Sequence, residues 1–435
     1  MTIMHNLDLT LSDIAKIEGK ASCEISVKNG KVVKVAFSIA EYKRFYTQAI
    51  CGKDMLALPQ LTARICGTCS NAHLLCALKA VEKIVNLTPS PQTILLRKLL
   101  NYGLIIRDHA LHLYVFVMPD LFQKDSILDF DENNPEEHKY LDDTFKVKAA
   151  GNNLSKAIGG RSVHAPFLTV GGFTKLPDQN QISKLIPELQ GIRKTVLNLI
   201  ELFGERDFTL IRNDIDFAAI TDHEYSFLYG DLIRSDGSVI PSEKYGEYLQ
   251  HVVIPYSHAS GYKFQGKVYM VGALARLNLA KKNLHEKTQT SAQKYLKKFP
   301  SQNIFHNNLA QAIEILHAVD SSLDILKNLK IIPEKPIAPQ RKKGKGVGVI
   351  EAPRGTLYYN LELDDQGKII RGQIVVPTGQ NQIGIEGSIR EYLEKNMDLE
   401  KSKEEIELKI EQIVRAYDPC MSCASHFLKI KWLSE

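Results

Sequence analysis

Arg64-Ile65-Cys66-Gly67-Thr68-Cys69 near the start of the chain and Asp418-Pro419-Cys420-Met421-Ser422-Cys423 at its end decide how this sequence is read. Each holds a Cys-x-x-Cys pair followed by a histidine, His73 after the first and His426 after the second. Such a pair at a turn or helix start aims two sulfurs at one metal, and two pairs give four thiolates. Four sulfurs suit a soft or borderline metal such as zinc, iron or nickel. The pairs lie 354 residues apart, so if they share a metal the fold must bring the two ends of the chain together. A structural zinc site usually staples a small domain with ligands close in sequence. A chain of 435 residues with 44% hydrophobic content buries a core without one. On spacing alone a zinc-stapled scaffold and a pair of redox dithiols both stay open.

Between the pairs the pattern is helix-dominated. Residues 21–28 and 31–39 alternate about Asn29-Gly30, which predicts an N-terminal hairpin. Helical periodicity follows over about 70–86, 92–118, 178–203, 305–329 and 400–416. A second hairpin is expected from strands near 356–363 and 368–376 around Asp365-Gln366-Gly367. The stretch Ile332–Gly348, with the basic run Arg341-Lys342-Lys343-Gly344-Lys345, reads as a solvated loop. The fold class is α+β: central long helices with small peripheral antiparallel sheets. No domain boundary is visible, so residues 1–435 are taken as one domain.

Composition excludes more than it selects. A net charge of +5 with no larger basic block argues against nucleic acid as a partner. No apolar run is long enough to span a bilayer, and Met1 opens no signal peptide. Seven cysteines, four of them in the two pairs, do not form a secreted disulfide framework, and a cytoplasmic location is expected.

The surroundings of the pairs are more specific. Arg-Ile-Cys-Gly-x-Cys and Asp-Pro-Cys-x-x-Cys-x-x-His closely resemble the two signatures of the NiFe-hydrogenase large subunit. Ile17-Glu18-Gly19, Asp108-His109, Gly159-Gly160-Arg161 with His164, Gly171-Gly172, Glu351-Ala352-Pro353-Arg354-Gly355 and Val376-Pro377-Thr378 resemble further family segments, in the family's order. The matches run from about residue 14 to residue 426. The short chain and the Glu-Ala-Pro-Arg-Gly form are most similar to the soluble, bidirectional type coupled to pyridine nucleotides.

The resemblance implies reversible heterolytic cleavage of H2 at a Ni–Fe centre. Cys66, Cys69, Cys420 and Cys423 would bind nickel, with Cys69 and Cys423 bridging to an iron that carries carbon monoxide and cyanide. Cys420 would accept the first proton and Glu18 would pass it outward. Taken alone, Glu18 reads as an ordinary surface carboxylate beside a strand. Arg354 would lie over the metals, with Asp108 and Asp418 as its ion-pair partners. Pro353, Pro377 and Thr378 would line the diatomic pocket, and His73 would donate to a bridging sulfur.

Two departures stand out. Many family members hold a magnesium or similar hard cation near the C-terminal histidine, here His426, using a glutamate at the position of Thr47. A hydroxyl is a much weaker ligand for such an ion than a carboxylate. The tail Phe427–Glu435 is short for the C-terminal extension that an endopeptidase removes after nickel insertion, and cleavage is expected. Cys23, Cys51 and Cys76 are scattered, unlike an iron–sulfur motif, and are read as buried apolar thiols. Electrons would therefore leave through a separate iron–sulfur small subunit and further electron-transfer subunits, with maturation proteins building the centre. A hydrogen sensor and a non-catalytic structural subunit are the alternatives.

Overall fold

The hairpin expected at the N-terminus gains a third strand. In the computed structural model, which describes residues 6–42, 44–206, 208–396 and 402–425, Asn6–Leu11 (β1) pairs with Ala21–Lys28 (β2). Strand β2 pairs in turn with Lys31–Ile39 (β3), all antiparallel. The turn works because Asn29 and Gly30 both take positive φ, at 50° and 69°, the geometry that matches the twist of two-residue hairpins. His426 and the tail 427–435 lie outside the described residues.

The long helices form the centre. Ser70–Ile84 (α1) begins directly after Cys69. Pro91–Ala110 (α2) starts with proline at its first turn and is capped by the Ser90 hydroxyl, which accepts from Thr93 N–H. Pro135–Gly159 (α3) packs along α2, and Gln179–Gly204 (α4) packs against His306–Asn328 (α5), which itself crosses α2. Past Ala110 the helical path of α2 widens into a π-helical turn over Leu111–Val117, a feature often found at functional sites. Here it turns His112 toward Gln311 on α5 and the Arg415 carbonyl, at 2.6 and 2.8 Å.

The C-terminal half corrects one expectation. The solvated loop read over 332–348 ends early, because Gly344–Ala352 is a strand (β4). It heads an antiparallel meander with Gly355–Leu363 (β5) and Ile369–Val375 (β6). The sequence Gly344-Lys-Gly346-Val-Gly348 lacks the apolar alternation that marks a strand, because its small face lies flat on α1. A Cβ on Gly348 would fall 2.3 Å from the Cys76 carbonyl oxygen and 2.8 Å from Ala80 N. Gly348→Val is therefore expected to cost about 3 kcal/mol, the upper end of ordinary overpacking, because backbone rather than a side-chain tip must give way. Gly344→Ala, whose Cβ meets only an Ile84 methyl at 3.1 Å, should cost far less; thermal unfolding of both variants checks the difference.

Pro377–Lys395 (α6) follows the meander, and Lys403–Ala416 (α7) carries the chain back into the core behind a Ser402–Glu405 capping box. A smaller sheet, built on Asp216–Thr221, Asp231–Arg234, Val239–Ile240 and Tyr269–Met270, covers one side. Among the described residues no helix is long and apolar enough to cross a membrane. Glu18 and Cys420 form an isolated parallel bridge, closed by Met421 N–H donating to the Glu18 carbonyl at 2.9 Å. The segment bearing Glu18 and the segment bearing the second cysteine pair thus meet.

Candidate metal centre

Each cysteine loop is a turn ending in a helix. Cys66 is extended, at φ −145° and ψ 143°, after the short 3-10 turn Ala63–Ile65, and Cys69 caps α1. Asp418 takes a positive φ of 48°, which reverses the chain so that Cys420 caps the short helix Met421–Ala424. The four sulfur atoms all lie within 4.8 Å of one another. Cys66 and Cys420 approach to 3.4 Å, Cys69 and Cys423 to 3.0 Å, and Cys420 and Cys423 to 3.0 Å. All four are buried in the main hydrophobic core.

Their acidities differ. Hydrogen bonds from the Cys420, Cys423 and Cys69 thiols hold Cys66 well below the usual thiol value. Burial pushes Cys420 and Cys423 well above it. Such a cluster keeps most of its protons until a cation replaces them, so binding a metal here releases protons. The donor set, four convergent sulfurs and no hard oxygen ligand, fits a soft or borderline metal.

The surrounding side chains reach toward these sulfurs from five elements. His73, one turn into α1, puts Nε2 3.4 Å from Cys423 Sγ while Nδ1 meets the Tyr359 hydroxyl at 2.7 Å. Burial lowers its pKa to about 4, so the ring is neutral. Tyr359, whose own pKa burial pushes up, donates to Nδ1, and the remaining N–H faces sulfur. Glu18 Oε2 lies 3.0 Å from Cys420 Sγ and accepts the Ser422 N–H at 3.0 Å. It is half-buried, not a free surface carboxylate.

Arg354 lies buried beside the cysteines. Its Nη1 donates to Asp108 Oδ2 at 2.6 Å and its Nε to Asp418 Oδ1 at 3.1 Å. Two carboxylates facing one guanidinium leave excess negative charge in a dry site. Burial then wins at Asp108, whose pKa rises, while Arg354 and His112 outweigh burial at Asp418, whose pKa falls. Asp108 rises although it makes the shorter bond, because it has fewer partners: Asp418 also accepts from Gln311 Nε2 at 2.8 Å. Among the described residues Arg354 Nη2 is buried with no hydrogen-bond partner. Thr378, at the start of α6, accepts the Cys420 N–H at 2.8 Å, which leaves its own O–H to donate. Pro377 opens that helix, and both residues are buried. The Pro353 carbonyl is held by Arg276 Nη2 at 2.9 Å.

Residues 46–140 and 137–426 match the family model for the nickel-dependent hydrogenase. The alpha subunit of sulfhydrogenase 1 from Pyrococcus furiosus is 33% identical over 431 residues, covering 98% of this chain and 99% of that protein. The chain belongs to the nickel-dependent hydrogenase family. The beta subunit of the NAD-reducing hydrogenase HoxS from Cupriavidus necator is 26% identical, with 97% and 95% covered. The crystal structure of an NAD+-reducing NiFe-hydrogenase in the H2-reduced state superposes with a TM-score of 0.86 at 23% identity, covering 97% of this chain and 99% of that one. This hydrogenase chain is the catalytic large subunit, an oxidoreductase acting on H2, and its four cysteines fit a Ni–Fe centre.

Three groups that position the hydrogenase site went unread in the sequence. Arg44 donates from Nη1 to the Ile65 carbonyl at 2.7 Å and from Nη2 to the Ser422 carbonyl, tying one cysteine loop to the other. Arg276 on the helix Ala273–Ala280 grips Glu314 of α5 at 2.6 and 2.7 Å, and Glu314 also holds His109 at 2.8 Å. That cluster fixes both the residue after Asp108 and the segment before Arg354. Lys16 and Arg415 converge on Asp120 at 2.9 and 2.7 Å, and Arg415 Nη1 donates to the Ala15 carbonyl, anchoring the turn that carries Glu18. Only the Arg276 cluster had an available signal: Glu314 in Leu309-Ala-Gln-Ala-Ile-Glu-Ile-Leu is an acid inside an apolar helix. The reading of three buried thiols holds for Cys23 and Cys76, but Cys51 is only half-buried. Ser162 O and His164 N bond Asn71 and Ser70 at the start of α1, so the central glycine segment buttresses the first cysteine loop.

Proposed function

We propose that Cys66, Cys69, Cys420 and Cys423 hold nickel, with Cys69 and Cys423 bridging to an iron bearing carbon monoxide and cyanide. When bound, that centre would supply the site at which H2 is cleaved heterolytically, giving two protons and two electrons in all. The observation that carries the reading is the 3.0 Å approach of Glu18 Oε2 to Cys420 Sγ inside a cluster of four convergent sulfurs. Cys420 takes the first proton and Glu18 receives it, held in place by the Ser422 N–H. Arg354, pinned between Asp108 and Asp418, turns its spare Nη2 hydrogens toward the reacting diatomic. Thr378 donates to an iron-bound cyanide, with Pro353 and Pro377 forming the apolar wall beside it. His73 donates to Cys423.

The electrons leave through an iron–sulfur small subunit. Tyr42, Phe45, Leu56 and Leu61 are exposed in the segment leading to the first cysteine loop, and an apolar patch there suits a permanent partner. Further subunits pass the electrons to a pyridine nucleotide in the cytoplasm. Maturation proteins supply the diatomic ligands, and an endopeptidase removes residues 427–435. A magnesium near His426 would have to do without a carboxylate at position 47, and Arg44 takes over the tie to the C-terminal loop. The chain works as one domain.

The test is metal analysis with infrared spectroscopy on the complex made in a host that matures a related hydrogenase. Nickel and iron at near one each in this subunit, with carbon monoxide and cyanide bands, are expected. Zinc alone from such a host would overturn the reading.

A further inference from the structure

A second cavity lies between α1 and α2, and none of the residues lining it belongs to the metal centre. Its volume is about 240 Å3, and its walls are mainly apolar, with Leu75, Ile94, Leu228 and Ile350 among them. Three cations line it, Lys79, Lys83 and Arg97, against a single acid, Glu82. That acid is fully engaged. Its two oxygens take Arg97 Nη1 and Nη2 at 2.7 and 2.6 Å, and Oε1 also accepts the Gly171 N–H at 2.8 Å. Lys83 pairs outward with Glu243 at 3.3 Å.

One donor is left over at the cavity, and a second is buried behind its wall. Arg97 is 4% exposed, and its Nε has no partner. Lys79 Nζ spends two of its three hydrogens on the Leu228 and Val349 carbonyls, at 2.6 and 2.7 Å, and lies 5.1 Å from the Tyr229 ring centroid. Among the described residues it has no carboxylate partner. Removal from water costs the unpaired ammonium enough to bring its pKa down to about 8. Lys79 is half-buried, and a cation partly withdrawn from water without a counter-charge is costly; an anionic ligand would compensate it. Two carbonyl bonds explain why Lys79 is fixed; they do not explain why a positive charge faces an apolar hollow.

We propose that this cavity is a binding site for a small carboxylic acid with an apolar body, its carboxylate held by Lys79. Charge selects the anion. The apolar walls select a hydrocarbon or aromatic body over inorganic phosphate. The volume lies just below the roughly 300–1,000 Å3 of pockets for larger ligands, which fits a molecule the size of benzoate. The site touches the hydrogenase centre only through its scaffold: Lys79 and His73 share α1, and Val349 and Ile350 sit on β4, which leads to Arg354. It is thus placed to stiffen the two elements that hold the centre.

The test is calorimetric titration of the assembled, metal-loaded complex with benzoate and with its neutral isostere benzamide. Benzoate should bind with a Kd of about 1 mM or tighter, equivalent to about −4 kcal/mol, and benzamide at least tenfold more weakly. Lys79→Met, which keeps the chain length and removes the charge, should weaken benzoate at least tenfold. Ile94→Trp, which narrows the hollow while leaving both cations in the sequence, should abolish binding and guards against a misfolded Lys79 variant. No heat from benzoate up to about 10 mM, equal binding of the two probes, or unchanged binding in both variants would each overturn the proposal.

Discussion

Glu18→Gln should assemble with a full complement of nickel and iron and lose hydrogen turnover by about 100- to 10,000-fold, the range for removing a positioned proton-transfer group. The substitution is nearly isosteric. The amide oxygen of glutamine can still accept the Ser422 N–H that Glu18 Oε2 takes at 3.0 Å, so the Glu18–Cys420 bridge and the seating of the C-terminal loop should survive. What is lost is the capacity to gain and give up a proton 3.0 Å from Cys420 Sγ. Hydrogen–deuterium exchange should fall together with turnover, because both need the proton to leave, while the infrared bands of the loaded protein stay in place. Full exchange in a metal-loaded Glu18→Gln protein would show that protons leave by another route. Glu18→Asp retains an ionisable group set back from the sulfur, and should recover part of the rate.

Arg354→Lys should also keep its metals, and should reduce activity per nickel by about 100- to 1,000-fold, the cost of removing one preorganised donor from a dry site. Charge is conserved by this change, but shape is not. The guanidinium reaches Asp418 through Nε and Asp108 through Nη1, and it still has Nη2 to offer. An ammonium concentrates its donors at one point and cannot span two carboxylates that a planar fork bridges. One acid would be left buried without its cation, so some stability is lost as well. The two roles separate in the readout. If Arg354 only held Asp108 and Asp418 apart, the variant would melt earlier and lose metal, and its activity per nickel would be unchanged. A loss of activity per nickel at normal metal content would mark a group that acts on the substrate.

The cysteine pairs, Glu18, Arg354 and its two acids were legible because their residue types are chemically distinctive and their order resembles a known family. Helices α1, α2, α4, α5 and α7 were legible because apolar spacing survives in them. What escaped notice has a common physical cause: the missed features depend on partners distant in sequence. The strand Gly344–Ala352 hid because close contact with α1 demands glycine where a strand pattern calls for valine or isoleucine. Helix α3 hid because its exposed face is dense in charge, with buried positions only at intervals. Pro377-Thr378-Gly379 reads as a turn locally, but it opens a 19-residue helix whose glutamines and asparagine are buried against other elements. Arg44 gives no local sign at all, since its work is done on carbonyls of Ile65 and Ser422.

The meeting of the two cysteine loops also sets a schedule for biosynthesis. Cys66 is added to the growing chain with 353 residues still to come before Cys420. At about 5–20 residues per second, the first pair waits roughly 20–70 s as an incomplete, two-sulfur site, open to any thiophilic ion in the cell. Joining the ends of so long a segment carries a loop-closure cost of about 5 kcal/mol, which the Arg44 tie, the Glu18–Cys420 bridge and the metal all help to offset. Faithful loading therefore has to be a late event, carried out on a nearly finished chain whose last segment is the one still free to close.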